Sequence, residues 1–98
     1  MEEKSVERYF KKQVENRGGL CLKFISPSMA GVPDRIVLLP GGRVFFAELK
    51  AKGKKPRPLQ TAVHSTIERL GFKVFVVDCK AGADKAVEEV MGGEIRTT

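Results

Sequence analysis

Two short apolar runs on either side of Pro40-Gly41-Gly42 limit the fold of this 98-residue chain more than any other stretch. Asp34-Arg35-Ile36-Val37-Leu38-Leu39 and Arg43-Val44-Phe45-Phe46-Ala47-Glu48-Leu49-Lys50 are rich in β-branched and aromatic residues. Such runs flanking a Pro/Gly break read as a β-hairpin. Pro33 has no N–H to give to a ladder and suits the strand's entrance. A proline followed by two glycines favours a three-residue loop, a type I turn closing on a left-handed residue. Leu39 then pairs with Arg43 and, counting back, Asp34 falls opposite Glu48. A two-residue loop would slip the register by one and send Asp34 to the other face.

That register has chemical consequences. Opposed residues of an antiparallel pair share a face, with Cβ atoms about 4.5–5.5 Å apart. Lys50 lies two positions beyond Glu48 and joins the same face. Two carboxylates so close repel each other unless a cation sits between them. Hard oxygen donors suit Mg²⁺ or Mn²⁺, ions that keep several waters and contact substrate phosphates. Such an ion lowers the pKa of a bound water and offsets charge on a phosphoryl oxygen. Lys50 is then placed to orient the attacking water or stabilise developing negative charge. The plain alternative is a hairpin that ends in a solvated Asp-Lys-Glu cluster.

The remaining elements follow from periodicity. Val6, Phe10 and Val14 recur at helical spacing, which predicts a helix over 3–16 that stops at Gly18-Gly19. Strands are predicted over 20–25, 34–39, 43–50 and 72–78, and helices over 59–70 and 83–91. Leu59, Val63, Ile67 and Leu70 give the second helix an apolar stripe, ended by Gly71. Val74-Phe75-Val76-Val77 is apolar on consecutive positions, the pattern of a strand covered on both faces. The order α-β-β-β-α-β-α, with hairpin strands also apolar on both sides, predicts an α/β fold: a mixed central sheet with helices on both faces. One domain over 1–98 is expected, with 92–98 as a loose tail.

Gly31-Val32-Pro33-Asp34, then Glu48-x-Lys50 and a helix opening near Gln60, resembles the virus-type replication-repair nuclease (VRR-NUC) domain. That domain is a branch of the PD-(D/E)XK nuclease superfamily, and the resemblance runs from the first helix to Asp78. It implies a PD-(D/E)XK-like sheet and a DNA-cleaving phosphodiester hydrolase dependent on Mg²⁺ or Mn²⁺. By resemblance, Asp34 and Glu48 hold the metal with the Leu49 backbone carbonyl, Lys50 is catalytic, and Gln60 supports the site from the next helix. The family also uses a glutamate from the first helix. Here Glu3 and Glu7 share a face beside the apolar stripe, and Glu7 is preferred because a longer stretch of helix holds it. Either acid would equally be at home near a helix N-terminus on electrostatic grounds alone. Stand-alone family members of this size, from phages and bacteria, are similar to Holliday-junction resolvases and tend to act as homodimers.

Charge points the same way. The chain carries a net charge of +6, which suits a polyanionic partner. Lys52, Lys54, Lys55 and Arg57 crowd a segment broken by Gly53, Pro56 and Pro58, so it reads as a basic loop beside the site. Such a loop contacts backbone phosphates and adds affinity without reading sequence. Lys23 and Ser26 are further candidates for the cleft, or simply a polar strand end. His64, the only histidine, lies one turn after Gln60 but has no second histidine or ligand spacing, so it stays outside the catalytic set. Cys21 and Cys79 sit in apolar runs without metal-binding spacing and read as small buried thiols in a reducing compartment rather than a disulfide. No apolar run approaches the roughly 20 residues of a membrane span, and no signal-peptide core opens the chain. A cytoplasmic setting, in a bacterial cell or a phage-infected host, is therefore expected. The favoured reading is a structure-selective endonuclease acting on branched DNA, with four-way junctions foremost. Its competitors are a flap or nicking nuclease with the same chemistry, and a non-catalytic nucleic-acid-binding module.

Overall fold

In the computed structural model, which describes residues 2–92, the helix expected over 3–16 is α1, Glu3–Asn16. Its apolar stripe, Val6, Phe10 and Val14, is buried. It closes as Gly18, at φ +80°, turns the chain and the Gly19 N–H bonds back to the Val14 carbonyl at 3.1 Å. Strand β1 (Leu20–Lys23) then runs antiparallel to β2 (Arg35–Leu39), which runs antiparallel to β3 (Arg43–Leu49). Strand β4 (Lys73–Val77) lies parallel to β3, giving the sheet order β1-β2-β3-β4. A parallel neighbour cannot be reached through a tight turn; helix α2 (Pro58–Arg69) supplies the crossover. Helix α3 (Lys80–Met91) completes the described residues, and of the expected tail only Gly92 falls among them.

Leu39 pairs with Arg43, as a three-residue loop requires. Both Gly41 and Gly42 take positive φ, 84° and 75°, so the turn has two left-handed residues rather than one. Only glycine does this without steric cost.

The period of two along each strand separates two unlike faces. Val37, Phe45, Ala47, Leu49 and Val77 are buried in one core with residues of α1 and α3. Phe45 sits edge-on to Phe10 at 6.2 Å and to Phe75 at 5.4 Å. Full burial of a side chain of this size contributes about 1.5–3 kcal/mol, so this face holds the sheet together. On the opposite face Phe46 meets Phe24 at 5.6 Å and Phe72 at 5.9 Å. There α2 packs on β4.

Four local details depart from expectation. β1 stops at Lys23 instead of 25, although the Phe24 N–H still bonds the Asp34 carbonyl at 2.9 Å. α3 begins near residue 80 rather than 83, because the Cys79 sulfur accepts the Gly82 N–H at 3.4 Å and serves as the N-cap. β4 is not covered on both sides: it is an edge strand, and Val76 remains 43% exposed. The apolar stripe of α2 is also incompletely used, with Leu59 57% and Leu70 72% exposed. The helix turns a neighbouring arc toward the sheet, and its one buried residue is His64.

Candidate active site

The site forms where β2 opens and β3 ends. Continuing the Arg35–Ala47 pair by one residue sets Asp34 against Glu48, and side-chain contacts lock that end. The Asp34 N–H donates to Glu48 Oε1 at 3.2 Å, and Asp34 Oδ1 accepts the Leu49 N–H at 3.2 Å. An extended residue turns its N–H and C=O to the same edge, so the Leu49 carbonyl lies on the Asp34 side of the strand.

Glu48 is the centre of the arrangement and is only 3% exposed. A carboxylate this buried needs donors, and it has them. Gln60 Nε2 donates to Oε2 at 3.0 Å, and Lys50 Nζ stands 3.3 Å from the same oxygen. Gln60 is itself fixed from behind, because its Oε1 accepts the Arg57 N–H at 2.9 Å in the first turn of α2. Gly31 lets α2 come this close. A Cβ there would lie 3.0 Å from both Leu59 Cγ and Val63 Cγ2, and its φ is +89°. The glycine of the Gly-x-Pro-Asp run is thus a spacer between the Asp34 loop and the helix that carries Gln60.

Asp34 is in a different electrostatic state from an ordinary surface acid. Burial first, and the Glu48 charge second, push its carboxyl up to about 6, against the pull of the Leu49 N–H and Arg35. A cation between two acids raised in this way would relieve their repulsion. The donor set fits a hard divalent ion: two carboxylates and a carbonyl, all oxygen, leaving room for water. Among the described residues no three His, Cys, Asp or Glu side chains gather into an all-protein metal cage. An ion held here would therefore rely on water and substrate for its other ligands.

The two acids of α1 are placed differently. The Glu7 carboxylate pairs with the Arg35 guanidinium, which also donates to the Asp34 carbonyl at 2.9 Å. Glu7 thus reaches Asp34 through Arg35. Glu3 adds its charge to those raising Asp34. Arg35 is a partner that sequence reasoning missed, and no spacing in the chain links it to Glu7.

Lys52, Lys54, Lys55 and Arg57 are exposed on the segment between β3 and α2. Asp78 anchors that segment by accepting the Gly53 N–H at 3.0 Å, and this bond is the main reason its carboxyl lies below the usual range. Lys23 is exposed and alternates with the face that carries Glu48; Ser26 Oγ lies 3.3 Å from Ser28 Oγ. Cys21 and Cys79 are free thiols, each half-buried. His64, left out of the site on sequence grounds, comes to it: its Nε2 is 3.9 Å from Glu48 Oε1. Its position four residues after Gln60 was the signal.

Among the described residues no helix is long and apolar enough to cross a membrane. No family-wide sequence profile matches the chain. It is 45% identical over 76 residues to a protein of Acyrthosiphon pisum secondary endosymbiont phage 1 named "Putative nuclease p44", a match covering 78% of this chain and 82% of that one. It also superposes on a solved structure described as a VRR_NUC domain with a TM-score of 0.81 and 37% identity, across 88% of this chain and 94% of the other. With the hairpin, the mixed sheet and the Glu48-x-Lys50 end in hand, this likeness in sequence and fold makes the chain a member of the VRR-NUC family of nucleases.

Proposed function

We propose that this nuclease is a divalent-metal-dependent, structure-selective DNA endonuclease that works as a homodimer on branched DNA, four-way junctions foremost. The observation that carries the chemistry is the buried Glu48 carboxylate, with Asp34 on one side and the Lys50 and Gln60 donors on the other. A module that only binds phosphate gains nothing from burying one carboxylate beside another. The repulsion lowers stability and is useful only to a cation.

Asp34, Glu48 and the Leu49 carbonyl would hold Mg²⁺ or Mn²⁺. When bound, the ion supplies a more acidic water and a counter-charge for phosphoryl oxygens. Lys50, with a side chain 20% exposed, keeps its ammonium at the mouth of the site. There it can orient the nucleophilic water or stabilise charge on the scissile phosphate. Gln60 keeps Glu48 in one orientation. Lys52, Lys54, Lys55 and Arg57 flank this end on an exposed segment and would bind the phosphate backbone on either side of the cut. The acid from α1 is Glu7 acting through Arg35, or Glu3, whose charge Asp34 senses.

Branched DNA is favoured on grounds of symmetry. Two copies related by a two-fold axis present two equivalent sites, which suits symmetric incision of two strands at a junction. A cytoplasmic setting, in a bacterial cell or a phage-infected host, suits that substrate. A cleavage assay across linear duplex, flap and four-way-junction substrates tests this reading, with Mg²⁺, with Mn²⁺ and with chelator, beside light scattering at assay concentration. Metal-dependent paired cuts in junctions by a dimer are expected. Cleavage unaffected by chelator refutes the metal, and a monomer that prefers flaps refutes the junction assignment while leaving the nuclease chemistry intact.

A further inference from the structure

His64 sits inside the site with no task in the chemistry above. It is 7% exposed, and its Nε2 has no hydrogen-bond partner among the described residues. A buried nitrogen left in that state lowers stability, whereas a leucine would fill similar space without the penalty. Helical spacing puts His64 on the same face of α2 as Gln60, and both aim at Glu48. Burial pushes the imidazole below its ordinary pKa, and the Glu48 charge pulls the other way.

The hydrogen bonding of Glu48 shows where the imidazole belongs. Oε2 faces two donors, Gln60 Nε2 and Lys50 Nζ. Oε1 has the Asp34 N–H at 3.2 Å. A carboxylate oxygen accepts about two hydrogen bonds, and Nε2 stands 3.9 Å from Oε1. That is about 1 Å beyond a normal hydrogen bond, the sort of gap that closes at catalytic sites once substrate is bound.

We propose that His64 is a positioning residue for Glu48: its Nε2–H completes the donors on Oε1 and fixes the carboxylate plane in the loaded site, where Lys50 turns to water or phosphate and leaves an Oε2 lone pair for the metal. The proposal rests on the reading of Glu48 as a metal carboxylate. Buried as it is, His64 meets neither DNA nor the reacting phosphate and acts through Glu48 alone. Outer partners that orient ligands in this way typically affect metal affinity or activity by about 10–100-fold.

Two variants of the full chain, His64→Leu and His64→Gln, test it. Melting of the metal-free protein, calorimetric titration with Mn²⁺ alone, and kcat and KM on a four-way junction are compared with wild type. His64→Leu should melt at or above the wild-type temperature, yet bind Mn²⁺ about tenfold more weakly and lose kcat with KM little changed. His64→Gln, whose amide can donate at similar reach, should recover most of both. ¹⁵N NMR of the wild type with Mg²⁺ should show the proton on Nε2. Wild-type Mn²⁺ affinity and kcat in His64→Leu overturn the proposal, as does an imidazole protonated only on Nδ1 in the Mg²⁺-bound protein. Losses in both variants that merely track a lowered melting temperature also overturn it, since they denote packing. Should His64→Leu fail to fold, the glutamine variant and the tautomer decide. A wild type that cuts no DNA defeats the nuclease reading, while the Mn²⁺ isotherms and the tautomer still judge His64.

Discussion

Replacing Asp34 by Asn should make the metal-free protein more stable at neutral pH while abolishing cleavage. Asn keeps an oxygen to accept the Leu49 N–H, now 3.2 Å from Oδ1, so the hairpin end need not move. What disappears is a charge that burial and Glu48 oppose. The folded pKa is about 6 against 3.8 for the unbiased group. Below pH 3.8 the acid is neutral folded and unfolded, and costs nothing. As pH rises from 3.8 to 6 the unfolded chain releases its proton first, so stability falls; above 6 the loss is complete. A shift of this size corresponds to roughly 3 kcal/mol. Because a third of the side chain reaches solvent, screening reduces it to about 1–2 kcal/mol. For a domain of this size that is a rise in Tm of about 5–10 °C. Calorimetric melts of both proteins from about pH 3.5 to 8, with and without Mg²⁺, read it directly. The variant should gain above about pH 6 and lose its advantage below about pH 4. Mg²⁺ should raise the Tm of the wild type more than that of the variant, and junction cleavage by Asp34→Asn should be undetectable. An Asp34→Asn protein less stable than wild type at about pH 8, or one that still cuts, refutes the argument that Asp34 is held against repulsion for a cation.

Two further outcomes follow from the site. Lys50→Ala should reduce saturated turnover by at least about 100-fold with little change in DNA affinity, whereas Lys54→Ala with Lys55→Ala should weaken binding and flatten its salt dependence; single-turnover rates and salt titrations separate the two. Gly31→Ala places a methyl 3.0 Å from Leu59 and Val63 at φ +89°, which should destabilise the fold by about 2–3 kcal/mol and depress cleavage in the still-folded fraction by disturbing the Gln60–Glu48 contact; a variant with wild-type Tm and kcat contradicts the spacer role.

The sequence by itself determined the order of elements and the register of the hairpin. Both depend on local rules: glycine and proline punctuation, and a strand period of two that cannot slip by one without exchanging its faces. That is why counting outward from the Pro40-Gly41-Gly42 turn is enough to set Asp34 opposite Glu48, and why Lys50 falls beside Glu48. Tertiary structure decided everything that depends on which way a helix is rolled against the sheet. Periodicity says that Leu59, Val63 and Ile67 share an arc of α2, and that Gln60 and His64 share another. It does not say which arc the sheet will take. Gly31 admits the helix at close range, Gln60 is drawn to Glu48, and so the polar arc turns inward while Leu59 and Leu70 are left largely in solvent. The same holds for Arg35, whose guanidinium links Glu7 to the Asp34 carbonyl, and for Cys79, whose sulfur starts α3 early. These contacts join residues through three-dimensional packing, or through a cap chemistry weaker than the usual Ser, Thr, Asp or Asn, and neither leaves a periodic trace in the chain.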